Sequence, residues 1–256
     1  MTGDSFQNSG FRVQNIIFCF LTAFCLLVIF LHAAGASAAD KKSFTYNIYW
    51  AGIKGGTAVL DYENTKEGFV VRTQATSIPI ISVFYKVDDF AQSTLYPDGY
   101  PKNYILKVHE GRHRRDRETW FEKTEEGGPT KVVYQDFLDD DKKEFSFNRP
   151  IYDMLSAFYA MTKMRLEPGT STYINIFDNE KKYHTEVEIL RKEKIEVQSR
   201  KFDSILIKPN LKSEGIFRRT GDIFIWVTDD DRKIPVLMKS KAFIGTFTVE
   251  LVEGDL

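Results

Sequence analysis

The residue pair most able to suggest catalysis is Asp153 and Ser156, three positions apart in a stretch that reads as helix. On adjacent helix turns they would form an acid beside a potential nucleophile. No Gly-x-Ser-x-Gly elbow surrounds Ser156, and no histidine is placed by sequence to act as its base. Ser156 is read as a small residue that lets helix and sheet pack closely, and no catalytic residue is expected. The histidines beyond the N-terminal region are His109, His113 and His184. His109 and His113 would share a metal on a helix, but on a strand they stand ~13 Å apart. The strand pattern around them is the better one, so no metal and no cofactor are expected.

The charged clusters follow. Arg112, Arg114 and Arg115, with His113 and Arg117, form the densest basic stretch and are candidate contacts for phosphate, an acidic glycan or a lipid head group. Glu110, Asp116, Glu118 and Glu122 interleave with them, which also fits a solvated, self-paired ladder. Lys212–Arg219 is a second basic loop open to the same two readings. The acidic runs Asp139–Asp141 and Asp229–Asp231 lack the alternating ligands and glycine of a calcium loop. They are read as hairpin tips, with weak calcium binding at the second as the alternative. Trp50, Tyr152, Leu155, Phe158, Tyr159 and Trp226 are candidate linings of an apolar ligand pocket, or simply core.

These residues must be positioned by a mostly β framework. Phe44, Tyr46, Ile48 and Trp50 alternate with polar residues, as a half-buried strand requires. Comparable runs recur along the chain, divided by turns such as Tyr96-Pro97-Asp98-Gly99-Tyr100-Pro101 and Gly127-Gly128-Pro129. Short spacing and tight turns imply antiparallel pairing, and a sheet of this length must curl. Ile78–Tyr85 reads as a short helix or a buried crossing segment. The exception to the strand pattern runs from Pro150 to Met164, apolar nearly all round and stopped by Pro168-Gly169. Pro150 suits a first turn, Asp153 suits the helix dipole, and such a helix is expected to be buried. At ~21 Å it is too short to span a bilayer.

The N-terminus carries an address. A polar start is followed by an apolar run from Ile16 through Leu31 and then small residues ending in Ala36-Ser37-Ala38. This is the layout of a cleavable secretory signal peptide over residues 1–38, leaving one β-rich domain over 39–256 with no membrane span after cleavage. The alternative is an uncleaved anchor. Both cysteines, Cys19 and Cys25, lie in the apolar run, so the processed chain would hold no thiol chemistry. With 35 basic against 36 acidic residues, no strong field argues for nucleic acid.

Tyr152-Asp153-Met154-Leu155-Ser156-Ala157-Phe158-Tyr159 before a Pro-Gly stop is one motif. A second runs from Ile225-Trp226 through Asp229 to Pro235-Val236, and Gly245 opens the closing strand. Together they resemble the bacterial exported domain-of-unknown-function family DUF3108, with Asp153, Ser156, Trp226, Asp229 and Gly245 as the family-like positions. The resemblance implies a periplasmic β-rich domain and no catalytic residues. The expected fold is a single curved antiparallel sheet, an open or partly closed barrel wrapped around one buried helix. It is similar in architecture to unclosed barrels that carry lipoproteins or lipids across the periplasm. The leading expectation is a non-enzymatic periplasmic envelope protein binding an apolar or amphiphilic ligand between sheet and helix. The alternatives are an envelope assembly partner acting through its surface and, remotely, a hydrolase of envelope polymers.

Overall fold

The computed structural model describes residues 41–123, 130–210, 220–242 and 245–256. The expected signal peptide with Cys19 and Cys25, the turn at Gly127-Gly128-Pro129 and the basic loop Lys212–Arg219 lie outside the described residues.

Eight strands come first: β1 (Lys41–Trp50), β2 (Ile53–Thr65), β3 (Gly68–Ser77), β4 (Asp88–Leu95), β5 (Pro101–Glu110), β6 (His113–Glu122), β7 (Thr130–Asp136) and β8 (Asp141–Phe147). Six follow: β9 (Thr170–Asp178), β10 (Lys181–Val197), β11 (Arg200–Asn210), β12 (Thr220–Thr228), β13 (Pro235–Ala242) and β14 (Gly245–Gly254). Within each run every strand pairs antiparallel with its neighbour in sequence, and β1 pairs with β14, so the two meanders fuse into one sheet running from β8 through β1 and β14 to β9. Among the described residues the sheet has 14 strands and is not closed by hydrogen bonds. The chain is therefore mainly β, as its alternation implied.

Alternation also sets the inside. Phe44, Tyr46 and Ile48 of β1, Ala58, Leu60 and Tyr62 of β2, and Val249 and Leu251 of β14 are buried on one face and join a single core. The end strands β8 and β9 approach through side chains. Phe145 and Phe147 lie 5.0 and 5.8 Å from Phe177 between ring centroids, and Lys143 Nζ is 2.7 Å from Glu180 Oε2. The exposed backbone edge of β9 is covered by Tyr152, whose N–H donates to the Asn175 carbonyl while its own carbonyl accepts from Phe177 N. An edge so occupied is not a template for a further strand.

Two helices interrupt the sheet, α1 (Pro79–Ser82) and α2 (Met154–Thr162). The central helix starts later than its Pro150 suggested, because residues 150–152 are spent on β9: Asn175 Nδ2 donates to the Pro150 carbonyl at 3.1 Å. Asp153 is the cap, and every residue of α2 except Ala160 is buried. Lys181–Val197, which reads as two strands, is one strand with a register shift between Ile189 and Arg191. No helix of the described residues is long and apolar enough to cross a membrane.

Candidate functional site

The concave side of the sheet is occupied first by α2. Asp153 is fully buried and accepts four hydrogen bonds: Leu155 N and Ser156 N on Oδ1 at 2.8 and 2.9 Å, and the Ser93 and Ser156 hydroxyls on Oδ2, both at 2.8 Å. Burial pushes its pKa up, and these donors oppose that. Both carboxylate oxygens and the Ser156 hydroxyl are thereby engaged in capping the helix and tying it to β4. Tyr159 stacks on Tyr62 and leans on Phe69, and Leu155 is completely enclosed. Between α2 and the β9–β12 side a cavity of about 40 Å³ survives, lined by Met154, Phe158, Met161, Ile207, Pro209 and Ile225 among others. Ligand pockets are typically ~300–1,000 Å³, so this space suits a methyl group or a water, not an acyl chain.

A second feature lies at the end of the sheet where β5 turns into β6. Asp89 and Glu110 are 0% and 1% exposed on the inner face, and an isolated bridge pairs Val87 with Glu110. Asp89 Oδ1 accepts the His109 N–H at 2.9 Å. Its pKa is raised from 3.8 to about 6, chiefly by burial; the hydrogen bond from His109 and the charge of Arg115 oppose the shift. Glu110 is raised well above the carboxylate range by burial and by the neighbouring Asp89 carboxyl. Glu110 therefore holds its proton more readily than an ordinary carboxyl; neither of its oxygens, nor Asp89 Oδ2, has a hydrogen-bond partner among the described residues. Arg115 and Arg117 share a face with buried Val108 and Leu106, their register partners. Arg117 Nε binds Asp136 Oδ2 at 2.6 Å, and both arginines pull down the otherwise raised pKa of Asp178. His113, at the mouth of this cluster, is pushed down to about 4 by desolvation and by Arg115, Arg117 and Arg114.

The third feature is a rim on the same end of the sheet. The β3–β4 crossover is fastened by the Ser82 hydroxyl, 2.7 Å from that of Ser77, and by Val87 N donating to Ser77 Oγ at 2.9 Å. Tyr85 packs inward against the core, and a Cβ on Gly111 would meet its ring at 2.7 Å. Ile80, Val83 and Phe84 therefore point outward, 69%, 78% and 86% exposed. Ile78 N donates to the Gly55 carbonyl, which brings in the β1–β2 turn with exposed Ile53 and Trp50, and Trp50 stacks on Phe247.

The pocket candidates thus separate. Leu155, Phe158 and Tyr159 sit together in the core, while Tyr152 packs edge-on against Tyr100. Trp50 is on the rim, and Trp226 is on the outer face, where its Nε1–H donates to Glu193 Oε1 at 2.7 Å under Lys239. The arginines separate too. Arg112 and Arg114 are exposed, Arg114 donating to the Gly111 and His113 carbonyls, whereas Arg115 faces the buried acids. His109 and His113 lie on different strands of the β5–β6 hairpin, and His184 is bonded to Asn175 at 3.0 Å. Asp230 closes its own turn, accepting from Thr228 Oγ1, Arg232 N and Lys233 N. Asp229 binds Lys192, and Gly245 adopts φ +133 against Trp50. Among the described residues no group of three or more His, Cys, Asp or Glu side chains could hold a metal.

This architecture has relatives. A family model described as "Protein of unknown function (DUF3108)" matches residues 45–252. The chain belongs to the DUF3108 family. The match spans both meanders and α2, and the family-like Asp153 and Ser156 are the cap and its partner. A crystal structure from Brucella abortus, titled a beta-barrel-like protein of domain of unknown function DUF1849, is similar in fold. It has a TM-score of 0.54 and 12% identity, covering 87% of this chain and 99% of that one. No curated protein matches the chain.

Sequence reasoning passed over the acid pair and the rim. The first was within reach, because period-two alternation places Asp89 with Ala91 and Ser93, and Glu110 with Val108, on the buried face. The second was not, because Ile78–Tyr85 has the composition of a core segment.

Proposed function

We propose that this DUF3108 member is a non-enzymatic protein of the bacterial cell envelope, periplasmic in location, that acts through its outer surface. The observation that carries this is the small space of about 40 Å³ that the described residues leave beside α2, together with an exposed apolar rim. The helix that could have roofed a lipid pocket is anchored to β4 through Asp153 and Ser93, and about 40 Å³ remains beside it. Ile80, Val83 and Phe84 meanwhile expose apolar surface that a rigid crossover holds outward. Side chains so exposed together mark a contact surface more often than an accident of packing. The non-enzymatic reading is supported by Asp153 and Ser156, whose polar atoms are consumed in capping.

A second reading keeps an apolar or amphiphilic ligand against α2. It is favoured by one observation: the cleft at Met161, Ile207 and Pro209 is lined by apolar side chains and opens on one side. Titration with cis-parinaric acid, whose emission rises in apolar surroundings, separates the two. The surface reading expects no saturable one-to-one rise. A saturable rise abolished by Ala157→Leu, which fills the cleft, would overturn it.

A further inference from the structure

The rim has a chemistry that selects among occupants. Ile80, Val83 and Phe84 form one face of the α1 turn at spacings of three and four, and Ile53 and Trp50 extend it along the neighbouring turn. Around them stand exposed basic side chains. Lys54 lies on the first turn and Lys86 at the end of the crossover. Arg112 and Arg114 belong to the β5–β6 hairpin, which is joined to the crossover by Gly111 N donating to the Lys86 carbonyl at 2.8 Å. The acidic groups nearby are withdrawn or paired. Asp88 accepts from Gln74 Nε2 at 2.6 Å and lies 3.8 Å from Lys86 Nζ, while Asp89 and Glu110 are buried beneath. The acidic tip at Asp139–Asp141 lies beyond β6, on the turn between β7 and β8. The result is an apolar knob ringed by cations.

We infer that this rim docks on an anionic phospholipid surface, with Ile80, Val83 and Phe84 entering the interfacial region and Lys54, Lys86, Arg112 and Arg114 meeting phosphates. The inference rests on the surface reading above and names its partner. Charge favours a bilayer over a protein: a bilayer interface takes a shallow apolar wedge and rewards the adjacent cations Lys54, Lys86, Arg112 and Arg114. The knob is also held by Ser77, Ser82 and Gly55, so docking orders nothing further.

The test is co-sedimentation of the full chain, as it is processed in the cell, with phosphatidylglycerol vesicles and with phosphatidylcholine vesicles. Every variant carries the same N-terminus, so any contribution of that segment cancels between them. Binding to phosphatidylglycerol is expected to exceed binding to phosphatidylcholine and to weaken with added salt. Ile80→Ser with Phe84→Ser should lower the partition at least ten-fold without moving the melting midpoint. Lys54→Glu with Arg112→Glu should lower it on phosphatidylglycerol only. Wild-type protein that ignores phosphatidylglycerol, or an Ile80→Ser/Phe84→Ser protein that binds as well as wild type, overturns the inference. So does equal binding to both lipids. A single envelope protein crosslinked to the rim without vesicle binding would replace the lipid by a protein occupant. None of these outcomes touches the parinaric acid titration, so this inference and the surface reading fail separately.

Discussion

Asp89→Asn should make the protein more stable at neutral pH, which is unusual for removing a buried charge. The wild-type carboxyl is raised from 3.8 to about 6 in the folded state, with burial as the leading cause. A raised acid keeps its proton in the folded chain where the unfolded chain has already released it. Stability therefore falls as pH rises from about 3.8 through about 6, and is constant above that. The shift is worth roughly 3 kcal/mol at 1.36 kcal/mol per unit, and Asp89 is completely enclosed, so solvent does not discount it. Asparagine keeps the oxygen that accepts the His109 N–H and has the same size, removing the titration without opening a cavity. The assay is urea unfolding of both proteins at intervals from pH 3.5 to 8. The variant-minus-wild-type difference should climb by about 3 kcal/mol across that window and then flatten. Carboxylates lowered by partners, such as Asp136 beside Arg117, lose stability on acidification in both proteins and cancel. A difference that is flat or declines with pH would refute the acid-pair reasoning.

Asp153→Ala strips the cap from α2 and leaves the Ser93 hydroxyl without its acceptor, while Ser156 keeps only its bond to the residue-153 carbonyl, for a loss of roughly 3–5 kcal/mol in urea unfolding. Gly68→Ala forces a side chain onto φ +139 and into the Leu95 carbonyl, and should cost more than about 2 kcal/mol or block folding, read from the melting midpoint. Trp226→Phe, on the outer face, should cost about 1 kcal/mol, the worth of its bond to Glu193, and should leave vesicle binding unchanged.

How far the sequence reached depends on whether a property is local. The alternation of Phe44, Tyr46 and Ile48 is a property of one strand, and it correctly announced a half-buried sheet. The all-round apolar character of Met154–Met161 likewise announced a buried helix. The helix start was misplaced because Pro150 and Tyr152 are claimed by β9, a contact with residues 175–177 that no local pattern encodes. Trp226 looked like core because aromatic residues usually are, yet strand parity sends it outward while Ile225 and Val227 go in. The rim is the deepest case. Ile80, Val83 and Phe84 are apolar as core residues are, and only the fastening of the crossover by Ser77 and Ser82 turns them outward.

The central claim is that the concave face is filled by α2 and that the protein works from its rim. Native mass spectrometry of the protein purified without detergent tests this most directly. The account predicts a single species at the mass of the polypeptide alone. A second species heavier by one fatty acid or phospholipid, surviving in the Ile80→Ser/Phe84→Ser variant, would place a guest inside the sheet and contradict it.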